Sequence, residues 1–265
     1  MNDCRTFFMV GAGNVAWHLS QVLKTAGFVP IGVYSLHKDK AETLANILQC
    51  NAYDSFNKVN EQACIFVISV KDDAITDVFE KAYAACPNSI FIHTAGSVSI
   101  DVFKNKAKSY GVLYPLQSFS IKRDLDFNNI PLFVEGNNEN TTSLLCSIAT
   151  KISKQPVTIL NSEQREKMHL AAVFASNFTN HCYACAKQLL EESGVNFCAL
   201  LPLIDETCKK VHELSPEDAQ TGPAVRYDKT VLSMQEKMLQ GAKLDIYRSI
   251  SRSIHETATK RTENK

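Results

Sequence analysis

Thr6-Phe7-Phe8-Met9-Val10-Gly11-Ala12-Gly13-Asn14-Val15-Ala16 is the stretch that decides the fold. Thr6 to Val10 is apolar and rich in strand formers, and Val15-Ala16-Trp17-His18-Leu19 through Lys24 reads as a helix that stops at Gly27. A strand feeding a glycine-rich turn and then a helix is the setting in which G-x-G-x-x-A holds a dinucleotide. Gly11 permits the tight turn, Gly13 lets a pyrophosphate come against bare backbone, and Ala16 fills the third small-residue position. Asn14 and Val15 open the helix, whose unpaired N–H groups and dipole favour phosphate. The competing reading is an ordinary tight strand–helix turn; the flanking elements favour the nucleotide.

The next strand, Pro30-Ile31-Gly32-Val33-Tyr34, ends where an adenosine ribose would be read. An NAD site carries Asp or Glu there; this chain carries Ser35-Leu36-His37-Lys38, and no carboxylate before Asp39. A hydroxyl, an imidazole and an ammonium suit a 2′-phosphate, which a carboxylate would repel, so the cofactor expected is NADP. The alternative is that Ser35, His37 and Lys38 merely cap and solubilise a helix over Asp39 to Leu48. The missing acid also counts against an S-adenosylmethionine site.

A chain of 265 residues, 45% hydrophobic, can bury a substantial core in one large domain or two modest ones. Its formal net charge of zero gives no electrostatic case for nucleic acid or an anionic membrane surface. The nine cysteines are scattered, and the close pair Cys182/Cys185 falls within a predicted helix, so neither a disulfide framework nor a zinc site is expected. Reduced, buried thiols in a cytoplasmic protein fit better. A start with Asp3 and Arg5 leading straight into a strand does not resemble a signal peptide, and no apolar run is long enough to span a bilayer.

Along the chain, strand and helix signals alternate as far as Leu160. Cys64 to Val70, Ser89 to His93, Gly111 to Tyr114, Leu132 to Glu135 and Val157 to Leu160 read as strands, with helices from Asp72 to Tyr83 and from Thr141 to Lys151. This is an α/β pattern: a doubly wound, mostly parallel Rossmann sheet of about eight strands. After Asn161 strand signals vanish. Helices are expected from Asn161 or Ser162 to Glu192, Phe197 to Glu213, Tyr227 to Gln240 and Lys243 to about Thr257, with a frayed tail to Lys265. Two domains follow: residues 1–160 for NADP, and an all-helical domain, 161–265, for substrate binding and dimerisation.

The helix through Met168 to Phe178 is apolar but for His169, Ser176 and Asn177. At about 100° per residue, Arg165, Ser176 and Asn180 fall within roughly 40° of His169, a polar stripe that either pairs inside the core or faces a wet cleft between the domains. His93 ends a parallel strand, the sheet edge at which ligands bind, and Thr94-Ala95-Gly96-Ser97 after it can approach a nicotinamide or be only a turn and a helix cap. Val70 closes the preceding strand and Asp72 opens the helix after it, and both are expected to bind the cofactor. Tyr114-Pro115-Leu116-Gln117-Ser118 invites a similar reading or is a proline-stiffened connection. In Thr221-Gly222-Pro223-Ala224-Val225-Arg226-Tyr227-Asp228, Gly-Pro can start a helix, and Arg226 can fork onto a substrate carboxylate or pair with Asp228.

Taken together, G-A-G-N-V-A, H-T-A-G-S-V, Y-P-L-Q-S-F, K-M-H-L-A-A-V-F-A-S-N-F and T-G-P-A-V-R-Y-D resemble a family of Rossmann-like NADP oxidoreductases of unassigned substrate. Its N-terminal domain is similar to pyrroline-5-carboxylate reductase and to deazaflavin-dependent NADP oxidoreductase, and its helical C-terminal domain is its own. The resemblance covers nearly the whole chain and implies NADP binding and a homodimer formed through the helical domain. Family members often carry Arg where this chain has Leu36, which leaves His37 and Lys38 to meet the 2′-phosphate. Related hydroxyacid dehydrogenases pair a Lys with an Asn four residues later; here Lys167 is followed by Ala171, and His169 with Ser176 or Asn177 is the nearest substitute. The expected activity is hydride transfer between NADP(H) and a small C=O or C=N substrate in the interdomain cleft. In it His169 is the proton donor, Ser176 and Asn177 orient the substrate, and Arg226 anchors it. The rival, favoured by the missing Lys/Asn pair, is an NADP(H)-binding regulatory or scaffold protein without turnover.

Overall fold

The computed structural model describes residues 5–59 and 64–263; Asp3 of the N-terminal reading lies outside them. Eight strands, β1 (Thr6–Val10), β2 (Val29–Tyr34), β3 (Asn51–Tyr53), β4 (Ile65–Ile68), β5 (Ile90–His93), β6 (Tyr110–Pro115), β7 (Leu132–Gly136) and β8 (Thr158–Ile159), form one sheet in the order β3-β2-β1-β4-β5-β6-β7-β8. The first six follow the doubly wound order, with the switch point at β1/β4 beside the glycine turn. Every pair is parallel except β6/β7. The chain between these two strands holds only the short turn Phe127–Asn129.

Both faces are covered, which explains the continuous apolar strands. Phe7, Met9, Val33 and Val67 point to the face packed by α1 (Asn14–Thr25), α2 (Lys38–Leu48) and α4 (Glu139–Ile152). Phe8, Val10, Phe66, Ile68 and Phe91 point to the face packed by α3 (Ile75–Ala85). The alternation along β1 splits one apolar run between two cores. The aromatic residues interlock: Phe8 stacks on Phe66 at 4.9 Å and Phe79 meets Phe91 edge-on at 5.1 Å.

Contacts divide the chain into two compact units, Met1–Asn177 and Phe178–Lys265. The helix α5 (Ser162–Ala172) therefore goes with the sheet, whereas the sequence reading set the boundary at 160/161. The reason is packing: Met168 rests on the cluster of Val112, Tyr114 and Phe133, and Arg165 is buried in the same unit. An Asn161/Gln164 capping box starts α5, as the cap residues imply. A π-helical segment, Val173–Phe178, joins α5 to α6 (Thr179–Glu192), which ends before Gly194 in the left-handed region (φ +71).

The second unit holds α6, α7 (Leu201–Glu213), the one-turn helices α8 (Pro216–Ala219) and α9 (Pro223–Arg226), α10 (Lys229–Glu236) and α11 (Gly241–Glu263). Pro223 sits in the first turn of α9, behind Gly222 at φ +108. The tail expected to fray beyond Thr257 is instead helical to Glu263, where Arg261 pairs with Asp218 at 2.6 Å. Only Ala224 is buried among the described residues of this unit. Cys50, Cys86, Cys146, Cys182, Cys185, Cys198 and Cys208 form no disulfide, but Cys182, Cys198 and Cys208 are exposed rather than buried; Cys64 is disulfide-bonded. No helix among the described residues is long and apolar enough to cross a membrane.

Candidate functional site

A cavity of about 650 Å3 opens at the C-terminal edge of the first unit's sheet, over the glycine turn. Gly11 adopts φ +114, and a Cβ there would stand 2.1 Å from the Ser69 carbonyl oxygen, so only glycine lets β1 pass β4 this closely. A Cβ on Gly13 would meet nothing within 4 Å, which leaves the backbone bare on the cavity side. Gly13 caps α1 without a side-chain hydrogen bond, and the first turn of α1 holds no acid. The helix N-terminus thus offers its N–H groups and positive dipole to an anion. These three features fit a dinucleotide pyrophosphate.

Gly11, Gly13, Asn14, Val15, Ser35, His37, Val70, Asp72, Thr94, Ala95, Gly96 and His169 all line this one cavity. Lys38 does not: its ammonium points out and pairs with Glu42 at 3.6 Å. Lys40, two residues further round the same helix, lines the cavity in its place. Ser35 Oγ accepts the His37 N–H at 3.2 Å, which shapes the turn at the end of β2.

On the far side, Thr94 Oγ1 donates to Ser69 Oγ at 3.1 Å, and the Ser97 hydroxyl donates to the Asp72 carboxylate. His169 lies directly on Gly96: a Cβ at residue 96 would come within 2.6 Å of His169 Nδ1. That nitrogen shares a hydrogen bond of 3.0 Å with the Tyr114 hydroxyl, and the two rings meet at a 69° tilt. Burial raises the Tyr114 pKa above the usual phenol value, the Arg165 charge pulls it back, and Asp72 adds a small rise. Tyr114 therefore keeps its proton at neutral pH. The sequence reading treated Tyr114 as a possible site residue but could not see the bond to His169, 55 positions away.

The polar stripe does not survive as drawn. Arg165 is 1% exposed and turned into the first unit, where it pairs with Glu135 and donates to the Val98 carbonyl. Ser176 and Asn177 lie in the π-helical segment, are exposed, and do not line the cavity. A π turn closes i to i+5 bonds, so the 100° step that aligned Ser176 and Asn180 with His169 fails there. His93 is fully buried rather than open to ligand; its Nδ1 accepts the Ala95 N–H at 3.2 Å. Burial, seconded by the Arg165 charge, holds its pKa down at about 3. Arg226 is exposed in the second unit, and Asp228, its suggested partner, instead caps α10 through the Val231 N–H. No group of three or more His, Cys, Asp or Glu among the described residues could hold a metal ion.

The fold and the cavity define a Rossmann protein with a dinucleotide cradle. A domain family of unknown function, DUF2520, matches residues 130–254. A crystal structure of a proposed NADP oxidoreductase from Bacteroides fragilis is 40% identical, with 95% of this chain and 98% of that one covered and a TM-score of 0.90. The chain belongs to the family of that protein. A Thermotoga maritima protein superimposes with a TM-score of 0.77 at 23% identity, over 96% of this chain and 99% of that one. A reductive aminase from Aspergillus terreus, solved with NADPH and ethyl-5-oxohexanoate, shares the fold at a TM-score of 0.69 and 12% identity, over 98% and 94% of the two chains. No curated protein matches the chain.

Proposed function

We propose that the chain is an NADP-dependent oxidoreductase acting on a small substrate with a C=O or C=N bond. The observation that carries the reading is the single cavity that runs from the uncapped N-terminus of α1 to the Tyr114–His169 pair. The Gly11–Asn14 turn holds the pyrophosphate, and Ser35, His37 and Lys40 meet the 2′-phosphate. Val70, Asp72 and Thr94 to Gly96 form the wall for the nicotinamide, which when bound supplies or takes the hydride. Lys38 is no longer needed for this.

The proton comes from the protein. His169 shares its Nδ1 with the Tyr114 hydroxyl, which fixes the ring and leaves Nε2 as the nitrogen that serves the substrate. With Nδ1 accepting from Tyr114, Nε2 carries the hydrogen; as it passes to the reduced substrate, Nδ1 takes the Tyr114 hydroxyl proton, so the imidazole stays neutral, and solvent returns a proton to Tyr114. Ser176, Asn177 and Arg226 do not line this cavity, so orienting or anchoring roles for them rest on their side-chain chemistry alone. Two domain roles, cofactor binding by the sheet unit and substrate binding and dimerisation by the helical one, are part of the proposal, as is a cytoplasmic setting.

The homodimer has a physical argument of its own. Among its described residues the helical unit buries only Ala224, too little for a core, yet Leu203, Met234 and Met238 stand 62%, 58% and 74% exposed. Apolar helix faces of this kind are stable only when covered, and a second copy of the chain is the partner proposed.

The test is NADPH oxidation monitored against a panel of small 2-oxo acids and cyclic imines. Once a substrate is found, His169→Ala should lower turnover by about 10²–10⁴ and leave NADPH affinity nearly unchanged. Tight NADPH binding with no turnover on any class of carbonyl or imine would favour the regulatory reading instead.

A further inference from the structure

We propose that Arg165 is a positioning residue, which with Glu135 locks the Thr94–Val98 turn and the His169-bearing helix into one register. The proposal rests on the reading of His169 as proton donor, and its structural part stands apart from that reading. Three elements converge on this one guanidinium. Glu135, on β7, takes an N–H from it; the Val98 carbonyl, at the end of the turn that carries Gly96, takes another. The guanidinium belongs to α5, one helical turn before His169.

The same joint is closed twice more. Glu135 accepts both the Ser162 N–H, at 2.9 Å, and the Ser162 hydroxyl, at 3.1 Å, and so holds the start of α5. Ser162 Oγ in turn accepts the Ile100 N–H at 3.0 Å, on the far side of Val98. At the other end of the turn, His93 accepts the Ala95 N–H. Gly96 is therefore held from both sides at the place where it touches His169.

Stability does not explain this arrangement. A guanidinium 1% exposed pays a large desolvation cost, and its Nε has no hydrogen-bond partner among the described residues. Apolar side chains of similar volume would pack as well or better. What they could not do is span Glu135 and a carbonyl at once; a planar fork does that, and a lysine ammonium does it poorly. The Arg165 charge lowers the pKa of both Tyr114 and His93, which agrees with a guanidinium near each.

The experiment compares wild type, Arg165→Lys and the double variant Arg165→Met/Glu135→Gln, which removes both charges together. Each is followed by thermal melting, by NADPH titration and by 15N NMR of the His169 imidazole. The double variant should melt near wild type, yet lose the Nδ1 signature of the Tyr114 hydrogen bond, and Arg165→Lys should retain that signature in part. If the double variant fails to fold, Arg165→Lys and Glu135→Gln carry the same comparison. A His169 signature unchanged while the pair is removed would overturn the proposal. Failure of the wild type to bind NADPH would sink the functional reading instead, and would leave the NMR result standing.

Discussion

Gly96→Ala is a one-methyl perturbation whose outcome the structure sets. The new Cβ would stand 2.6, 2.7 and 2.8 Å from Nδ1, Cγ and Cβ of His169. Ordinary contact begins near 3.4 Å, so the ring must retreat by about 0.6–0.8 Å. The nearest atoms include the stem of the side chain, so rotating the imidazole alone does not relieve the overlap. A ring displaced that far no longer keeps its 3.0 Å bond to Tyr114. Overpacking of this kind costs about 1–3 kcal/mol, and a reacting group misplaced by about 1 Å loses on the order of 10² in rate. Urea unfolding should show the stability loss, and turnover on any substrate found should fall with it. His169→Ala in the Gly96→Ala background should recover part of the stability, because two of the three clashing atoms are gone. Unchanged stability together with an intact Tyr114–His169 signature would refute the contact on which the site is built.

Other expectations follow from single features. Lys40→Glu should weaken NADPH while sparing NADH, and Lys38→Glu, at a side chain already paired with Glu42 in solvent, should do much less; isothermal titration of the four combinations decides. His93 titrates at about 3 in the folded protein against 6.5 when exposed, so the unfolded chain binds more protons between those values. Its contribution is complete above pH 6.5 and is lost as the pH falls toward 3, with a slope of up to about 1.4 kcal/mol per pH unit. His93→Asn, which keeps an acceptor for the Ala95 N–H, should flatten that part of a stability–pH curve measured by denaturant. Light scattering at micromolar concentration should report a dimer; a stable monomer would contradict the argument from the coreless helical unit.

How far the fold could be read in advance depended on how local each signal was. The glycine turn, the strand ends near His93 and Tyr114, and the cap at Asn161 are each written in a few adjacent residues, and the structure places them accordingly, whereas the strand read as far as Val70 ends at Ile68. β3 (Asn51–Tyr53) was missed because three half-polar residues carry no period. Lys38 and Lys40 differ by a turn phase that depends on where α2 begins, and it is Lys40 that lines the cavity. Helical phase put Arg165 beside His169 correctly, but phase cannot say which neighbour covers a face; Glu135 and Val98 are distant in sequence. The π-helical segment broke the same phase for Ser176 and Asn177, and no composition signal announces a π turn. The Tyr114–His169 bond joins a strand end to a helix across the unit, so it became visible only with the fold.

The cavity over the glycine turn is the proposed seat of NADP(H). Calorimetric titration of the wild-type chain with NADPH and NADH, repeated on Gly11→Ala, tests it most directly. Saturable NADPH binding, tighter than NADH binding, is expected of the wild type, and loss of binding is expected of Gly11→Ala, whose Cβ would drive against the Ser69 carbonyl. An absence of NADPH binding to the wild type, or undiminished binding by a folded Gly11→Ala variant, would contradict it.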